Sequence, residues 1–159
     1  MSQNSTSQNS IGQNSMSHDS MSHDSMSAQV FVEPIVGRYM HLSLNGQLHR
    51  VYVEEAGAGV PLLCLHTAGA DTRQYRALMN DAELLKQFRV IAFDLPWHGK
   101  SSPPEGWQNG TYRLSSHDYT QAILAVADAL QLDQPIVMGC SIGGRIVLHL
   151  ALEHPERFG

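Results

Sequence analysis

Basic residues are scarce in this chain: Lys and Arg total 10 against 15 Asp and Glu, for a net charge of −5 at pH 7. Asp19 and Asp24 sit in an unusual N-terminal tract, so the remaining sequence is only mildly acidic. With no basic face to neutralise phosphates, nucleic acid is excluded as a partner. No stretch approaches the roughly 18 consecutive apolar residues of a transmembrane helix, which excludes a spanning segment. The N-terminus lacks Lys, Arg and an apolar h-region, so no secretory signal is expected, and the cytoplasm is the default compartment. Cysteine is limited to Cys64 and Cys140. Two thiols make no disulfide framework, and both are expected to be reduced and buried. No metal or organic cofactor is implied.

What is present begins with a repeat. Residues 1–25 read MSQNS, TSQNS, IGQNS, MSHDS, MSHDS. A period of five fits neither a helix face nor a strand face. Ser, Gln and Asn bury too little apolar area to offset an ordering cost of ~1–2 kcal/mol per residue. Residues 1–28 are therefore expected to be a disordered tail ahead of a folded portion at 29–159. The pairs His18-Asp19 and His23-Asp24 could hold a metal only weakly, and a repeat expansion without a role is the preferred reading.

From Val30 onward the pattern is that of a folded domain. Tyr39–Leu44 and Gln47–Glu54 alternate around Asn45-Gly46, a strong hairpin signal because both turn residues tolerate positive φ. Val60–Leu65, Arg89–Leu95 and Ile136–Met138 are short apolar runs without alternation, as in strands buried on both faces. Between them lie helical spacings. The first is capped by Asp71, with Gln74 completing a capping box, and carries Tyr75, Leu78, Met79, Ala82 and Leu85. The second is capped by Ser116 and turns Tyr119, Ile123, Val126 and Leu130 inward. The third runs to about Glu153 before Pro155. Residues 96–111 are rich in Gly, Pro and Ser, which predicts a long loop. Strand-helix alternation after a hairpin predicts an α/β fold with a parallel sheet and right-handed crossovers.

Three segments carry the chemistry. Gly139-Cys140-Ser141-Ile142-Gly143 fits G-x-S-x-G between a buried strand and a helix. Glycines on either side remove Cβ atoms that would clash in so sharp a bend. The serine is then pushed above the sheet at a helix N-terminus, whose N–H groups and dipole favour developing negative charge. The same residues also suit an ordinary tight turn with a capping serine. His66-Thr67-Ala68-Gly69 forms a small-residue loop that can bring a backbone N–H towards the same spot. Asp94-Leu95-Pro96-Trp97-His98-Gly99-Lys100-Ser101 places a carboxylate to fix a turn, and His98 reads as a turn residue rather than a general base.

In that order and at those separations, the three segments resemble the α/β-hydrolase superfamily, over about Gly37–Phe158. The closing His154-Pro155-Glu156-Arg157-Phe158 is similar to the family's usual end of the helix after the nucleophile. The resemblance implies Ser141 as catalytic nucleophile, Gly139 and Gly143 as the elbow glycines, and the N–H groups of Ala68 and Ile142 as the oxyanion hole. It implies a loop-positioning role for His66. Thr67 and Trp97 depart from the pattern, each standing where glycine is usual; Trp97 either shapes an acyl or aryl pocket or covers the sheet edge. Serine at the apex argues against the aspartate chemistry of haloalkane dehalogenases and epoxide hydrolases.

The family's acid and base follow later strands in chain order, and none of the nine histidines here falls at the catalytic position. The chain is therefore expected to be the N-terminal part of a hydrolase acting on a small carboxylic ester or thioester, truncated after the nucleophile helix and inactive alone. It could pair with a C-terminal half carrying the missing groups. In the chain by itself, Ile136–Met138 is expected to be an edge strand with two uncovered apolar faces. Carbon–carbon bond hydrolysis with the same triad and a non-catalytic, ligand-binding role are the alternatives. Self-assembly driven by the tail is a weaker one.

Overall fold

The computed structural model describes residues 30–159; the expected tail at 1–28 lies outside the described residues. The folded unit, Val32–Gly159, holds one five-stranded sheet of order β1-β2-β4-β3-β5. Its strands are β1 (Val36–Leu44), β2 (Gln47–Gly57), β3 (Val60–Leu65), β4 (Phe88–Phe93) and β5 (Ile136–Gly139). The hairpin forms where Asn-Gly predicts it: Leu44 pairs with Gln47, and Asn45 and Gly46 take φ of 51° and 76°. β2 meets β4 antiparallel, while β3 lies parallel between β4 and β5.

Side chains of the central strands alternate between two cores. Leu63, Leu65, Ile91 and Phe93 face α2 (Ser116–Ala129) and α3 (Ile142–Glu153), packing with Tyr119, Ile123, Ile146 and Leu150. Leu62, Cys64, Val90 and Ala92 face the other way, towards Tyr75 and Met79. Each fully buried Leu, Ile or Phe contributes roughly 1.5–3 kcal/mol.

Several expectations are corrected. The helix foreseen from Asp71 to Leu85 is broken into a 3₁₀ turn at Thr72–Tyr75, a short α1 (Arg76–Met79) and a second 3₁₀ turn at Leu84–Lys86. The break has a local cause: the Asp81 carboxylate accepts from the N–H groups of Glu83 and Leu84, both at 3.0 Å, in place of helical partners. Asp71 does cap, accepting from Arg73 N–H at 3.0 Å, but Gln74 makes no capping box and reaches Thr67 instead. The cap of α2 is Ser115, not Ser116, in a reciprocal box with Asp118. β5 is the edge strand, yet only one of its faces is bare. Val137 packs on the main core, while Ile136 and Met138, on the face served only by the short α1, stay exposed.

A buried carboxylate ties the hairpin to the rest. Glu54 is 1% exposed and accepts from Arg76 at 2.7 Å and Tyr52 at 3.0 Å, with the Lys100 ammonium at 3.4 Å. Burial pushes its pKa up, but hydrogen bonds from Arg76 and Tyr52 and the Arg76 charge outweigh it, so the net direction is down.

Candidate active site

The β5–α3 bend is sharp and strained. Ser141 holds φ 55° and ψ −114°, a left-handed-side conformation that a non-glycine residue keeps only when its surroundings enforce it. The enforcement is close packing. A Cβ on Gly139 would lie 2.4 Å from the Gly143 carbonyl carbon, and one on Gly143 would lie 2.3 Å from the Leu65 carbonyl oxygen. Only glycine lets α3 start so near β3 and β5. Ser141 is exposed, as is Cys140 beside it. The Cys140 thiol is thus not buried as expected, because it leaves the bend on the solvent side. Cys64 is buried, which pushes its thiol up to about 12.

The His66 loop rises beside this bend, since Leu65 is paired with Gly139 and the Cys140 N–H donates to the Leu65 carbonyl at 3.3 Å. Its backbone is fixed peptide by peptide. The His66–Thr67 peptide is held at both ends: the Tyr119 hydroxyl donates to the His66 carbonyl at 3.2 Å, and the Thr67 N–H donates to Gln74 Oε1 at 3.0 Å. In the next peptide, the Thr67 carbonyl accepts from His66 Nδ1 at 2.8 Å and from Ala70 N–H at 3.1 Å. A trans peptide is planar with C=O and N–H opposed, so pinning that carbonyl also sets the direction of the Ala68 N–H. Among the described residues neither the Ala68 nor the Ile142 N–H has a hydrogen-bond partner.

The His66 ring is buried, and its Nε2 accepts from the Leu95 N–H at 3.1 Å. That acceptor role leaves the proton on Nδ1, which donates to Thr67. Burial and the neighbouring His98 ring hold its pKa below the usual value, with Thr67, Asp94 and Asp71 opposing. Thr67 needs no positive φ; within the loop that conformation falls on Gly69 at 73°. The threonine is therefore no obstacle to the loop.

The Asp94–Ser101 segment is a turn built on one carboxylate. Asp94 accepts from the Thr72 and Lys100 N–H groups, both at 2.7 Å. Gly99, at φ 51°, leaves no room for a Cβ, which would sit 2.1 Å from Asp94 Oδ2. Ser101 Oγ donates to the Asp94 carbonyl at 2.6 Å and accepts from Tyr52 N–H at 2.9 Å. His98 stays in the turn, its Nδ1 3.1 Å from the Pro96 carbonyl.

No side chain among the described residues hydrogen-bonds to Ser141. His149 lies 3.3 Å from Glu153 on α3, remote from any role at the bend. No cluster of metal-ligating side chains occurs among the described residues, and none of their helices is long and apolar enough to cross a membrane.

A sheet of this order, with a glycine-flanked bend after β5 and a pinned loop after β3, defines a hydrolase-like α/β architecture. The family model described as the alpha/beta hydrolase fold matches residues 60–159, and the chain belongs to that family. It is 36% identical over 111 residues to 2-hydroxymuconate semialdehyde hydrolase of Pseudomonas sp. (strain CF600), covering 68% of this chain and 37% of that protein. It is 32% identical over 114 residues to the dihydrolipoyllysine-residue acetyltransferase component of the acetoin cleaving system of Pseudomonas putida, covering 72% and 29%. An epoxide hydrolase from Vigna radiata shares the fold with a TM-score of 0.63 at 24% identity, over 81% of this chain and 39% of that one. The chain thus spans about a third of the length of these curated relatives.

Tyr75, Tyr119 and Gln74 are the site residues the sequence reading missed as such. Their helical spacing announces a buried face, but nothing in it says which carbonyl or N–H the polar end will meet.

Proposed function

We propose that this chain carries the nucleophile and oxyanion-binding elements of a serine hydrolase acting on small carboxylic esters or thioesters. The observation that carries this reading is the strained, exposed Ser141 between two glycines that cannot bear a side chain. In the reaction, Ser141 Oγ bonds to the carbonyl carbon, and the carbonyl π electrons move to oxygen. The N–H groups of Ala68 and Ile142 receive that charge, an effect that costs ~10²–10³ in rate when one donor is lost. Collapse expels the alcohol or thiol and leaves an acyl-serine. The hydroxyl proton needs an acceptor, which comes from outside the described residues. A serine hydroxyl without a base is weakly nucleophilic, so the chain alone acylates slowly.

A second reading is carbon–carbon bond hydrolysis by the same serine, and similarity to 2-hydroxymuconate semialdehyde hydrolase favours it. The test is release of p-nitrophenol from p-nitrophenyl acetate. Slow release of about one equivalent per chain, absent from Ser141→Ala, supports the ester reading. Consumption of a diketone with no phenol release would move the assignment to the second. Neither reaction, in a folded chain supplied with the missing acid and base, would leave a ligand-binding role.

A further inference from the structure

Both tryptophans of the chain, Trp97 and Trp107, line one cavity of about 330 Å³, together with Tyr112 and His49. None of Ala68, Gly139, Ser141 or Ile142 lines it. Its walls come from the β1–β2 turn and the long loop after β4, whereas Ser141 follows β5, two strands further across the sheet. Trp97 holds φ 73°, the left-handed region where a large side chain is disfavoured. Its ring is flanked by two others: Trp107 meets Trp97 edge-on with centroids 5.4 Å apart, and Tyr112 does so at 5.3 Å. Trp107 and Tyr112 remain 44% and 46% exposed, so their rings are available to a further partner.

The polar groups around the cavity add to the case. Asp118 is already engaged by Asn45 at 2.7 Å and by Ser115. Among the described residues Arg113, which also lines the cavity, makes no ion pair. His49 is buried, and its Nδ1 has no hydrogen-bond partner among the described residues. The volume lies at the small end of the range of ligand sites.

We infer that this cavity is a binding site for a small planar aromatic ring, separate from the Ser141 bend. The ring packs against Trp97, Trp107 and Tyr112 in edge-to-face or offset contact. The inference does not depend on Ser141 being a nucleophile.

Because the chain has only two indoles and both line the site, their Nε1–H resonances and their emission, excited at the red edge, report occupancy directly. Benzyl alcohol, titrated into the full chain, should shift both resonances saturably. It should bind roughly threefold to tenfold more tightly than cyclohexylmethanol, the margin that aromatic contact adds beyond burial. Benzoate serves as a further arm: tighter binding than benzyl alcohol would mean that Arg113 takes part, and equal binding that the ring alone is read. Trp97→Gly, which suits the backbone, should abolish the shift at Trp107. Tyr112→Leu, which keeps apolar bulk without a ring, should weaken binding while leaving the unliganded spectrum folded. Non-saturable shifts, equal binding of cyclohexylmethanol, or unchanged binding in both variants would overturn the inference.

Discussion

Tyr75 and Tyr119 grip consecutive carbonyls at the end of β3 from opposite faces of the sheet. The Tyr75 hydroxyl donates to Leu65 at 2.6 Å and the Tyr119 hydroxyl to His66 at 3.2 Å. Both hydroxyls are buried, and burial holds their pKa values up, Tyr75 to about 12. They act as neutral donors across the usable pH range. The strand end from which the loop and the bend both depart is thus braced on two sides. Phenylalanine at 119 should leave the buried His66 carbonyl without its donor, at a cost of roughly 1–3 kcal/mol, and phenylalanine at 75 should cost less, because the Cys140 N–H still donates to the Leu65 carbonyl. Urea denaturation measures it, and a loss near zero for both variants would show that the brace is not needed.

Gln74 should matter to the loop more than to the fold. Gln74→Leu removes the acceptor of the Thr67 N–H, and amide hydrogen exchange at Thr67 should speed up markedly while the strands keep their protection. Gln74→Glu keeps an oxygen there and should restore protection. Unchanged exchange in Gln74→Leu would contradict the peptide clamp.

Gly143 and Gly144 differ sharply despite being adjacent. A Cβ on Gly143 meets backbone atoms of Leu65 at 2.3 and 2.9 Å, whereas on Gly144 the nearest atom is the Gly139 oxygen at 3.2 Å. Gly143→Ala should destabilise by roughly 1–3 kcal/mol through overpacking. Gly144→Ala should be near neutral, because a small shift accommodates it and alanine favours helix. Equal urea midpoints for the two variants would refute the close approach.

Stability should fall with acid. Burial holds both His49 and His66 below their ordinary 6.5. Just below that pH the unfolded chain binds more protons than the folded one. Their contribution is therefore full above 6.5 and is lost as pH falls from there towards the lower folded values. The urea midpoint should drop between about pH 7.5 and about pH 5.5, and less steeply in His66→Gln. A flat profile in the unaltered chain would contradict the buried, neutral assignment.

Much of this was legible in the residues, and for physical reasons. Asn45-Gly46 announces its turn because few other pairs accept two positive φ angles, and the bend at Ser141 announces itself through glycines that steric contact demands. Strands β3, β4 and β5 were legible as apolar runs. The break after the His66 loop is not legible in apolar spacing, which is blind to Asp81, whose carboxylate competes for the N–H groups that a continuous helix would use. Ser115 and Ser116 are indistinguishable as caps by residue type, and only the reciprocal bond with Asp118 decides between them. The exposure of Cys140 and the left-handed backbone of Trp97 follow from where the chain turns, which residue type alone does not encode.

The most direct measurement is intact-protein mass spectrometry after incubation with an alkyl fluorophosphonate, followed by peptide mapping. The account predicts a single phosphonate adduct on Ser141, formed slowly and absent from Ser141→Ala. A folded chain that stays unmodified, or an adduct at another residue that survives Ser141→Ala, would contradict it.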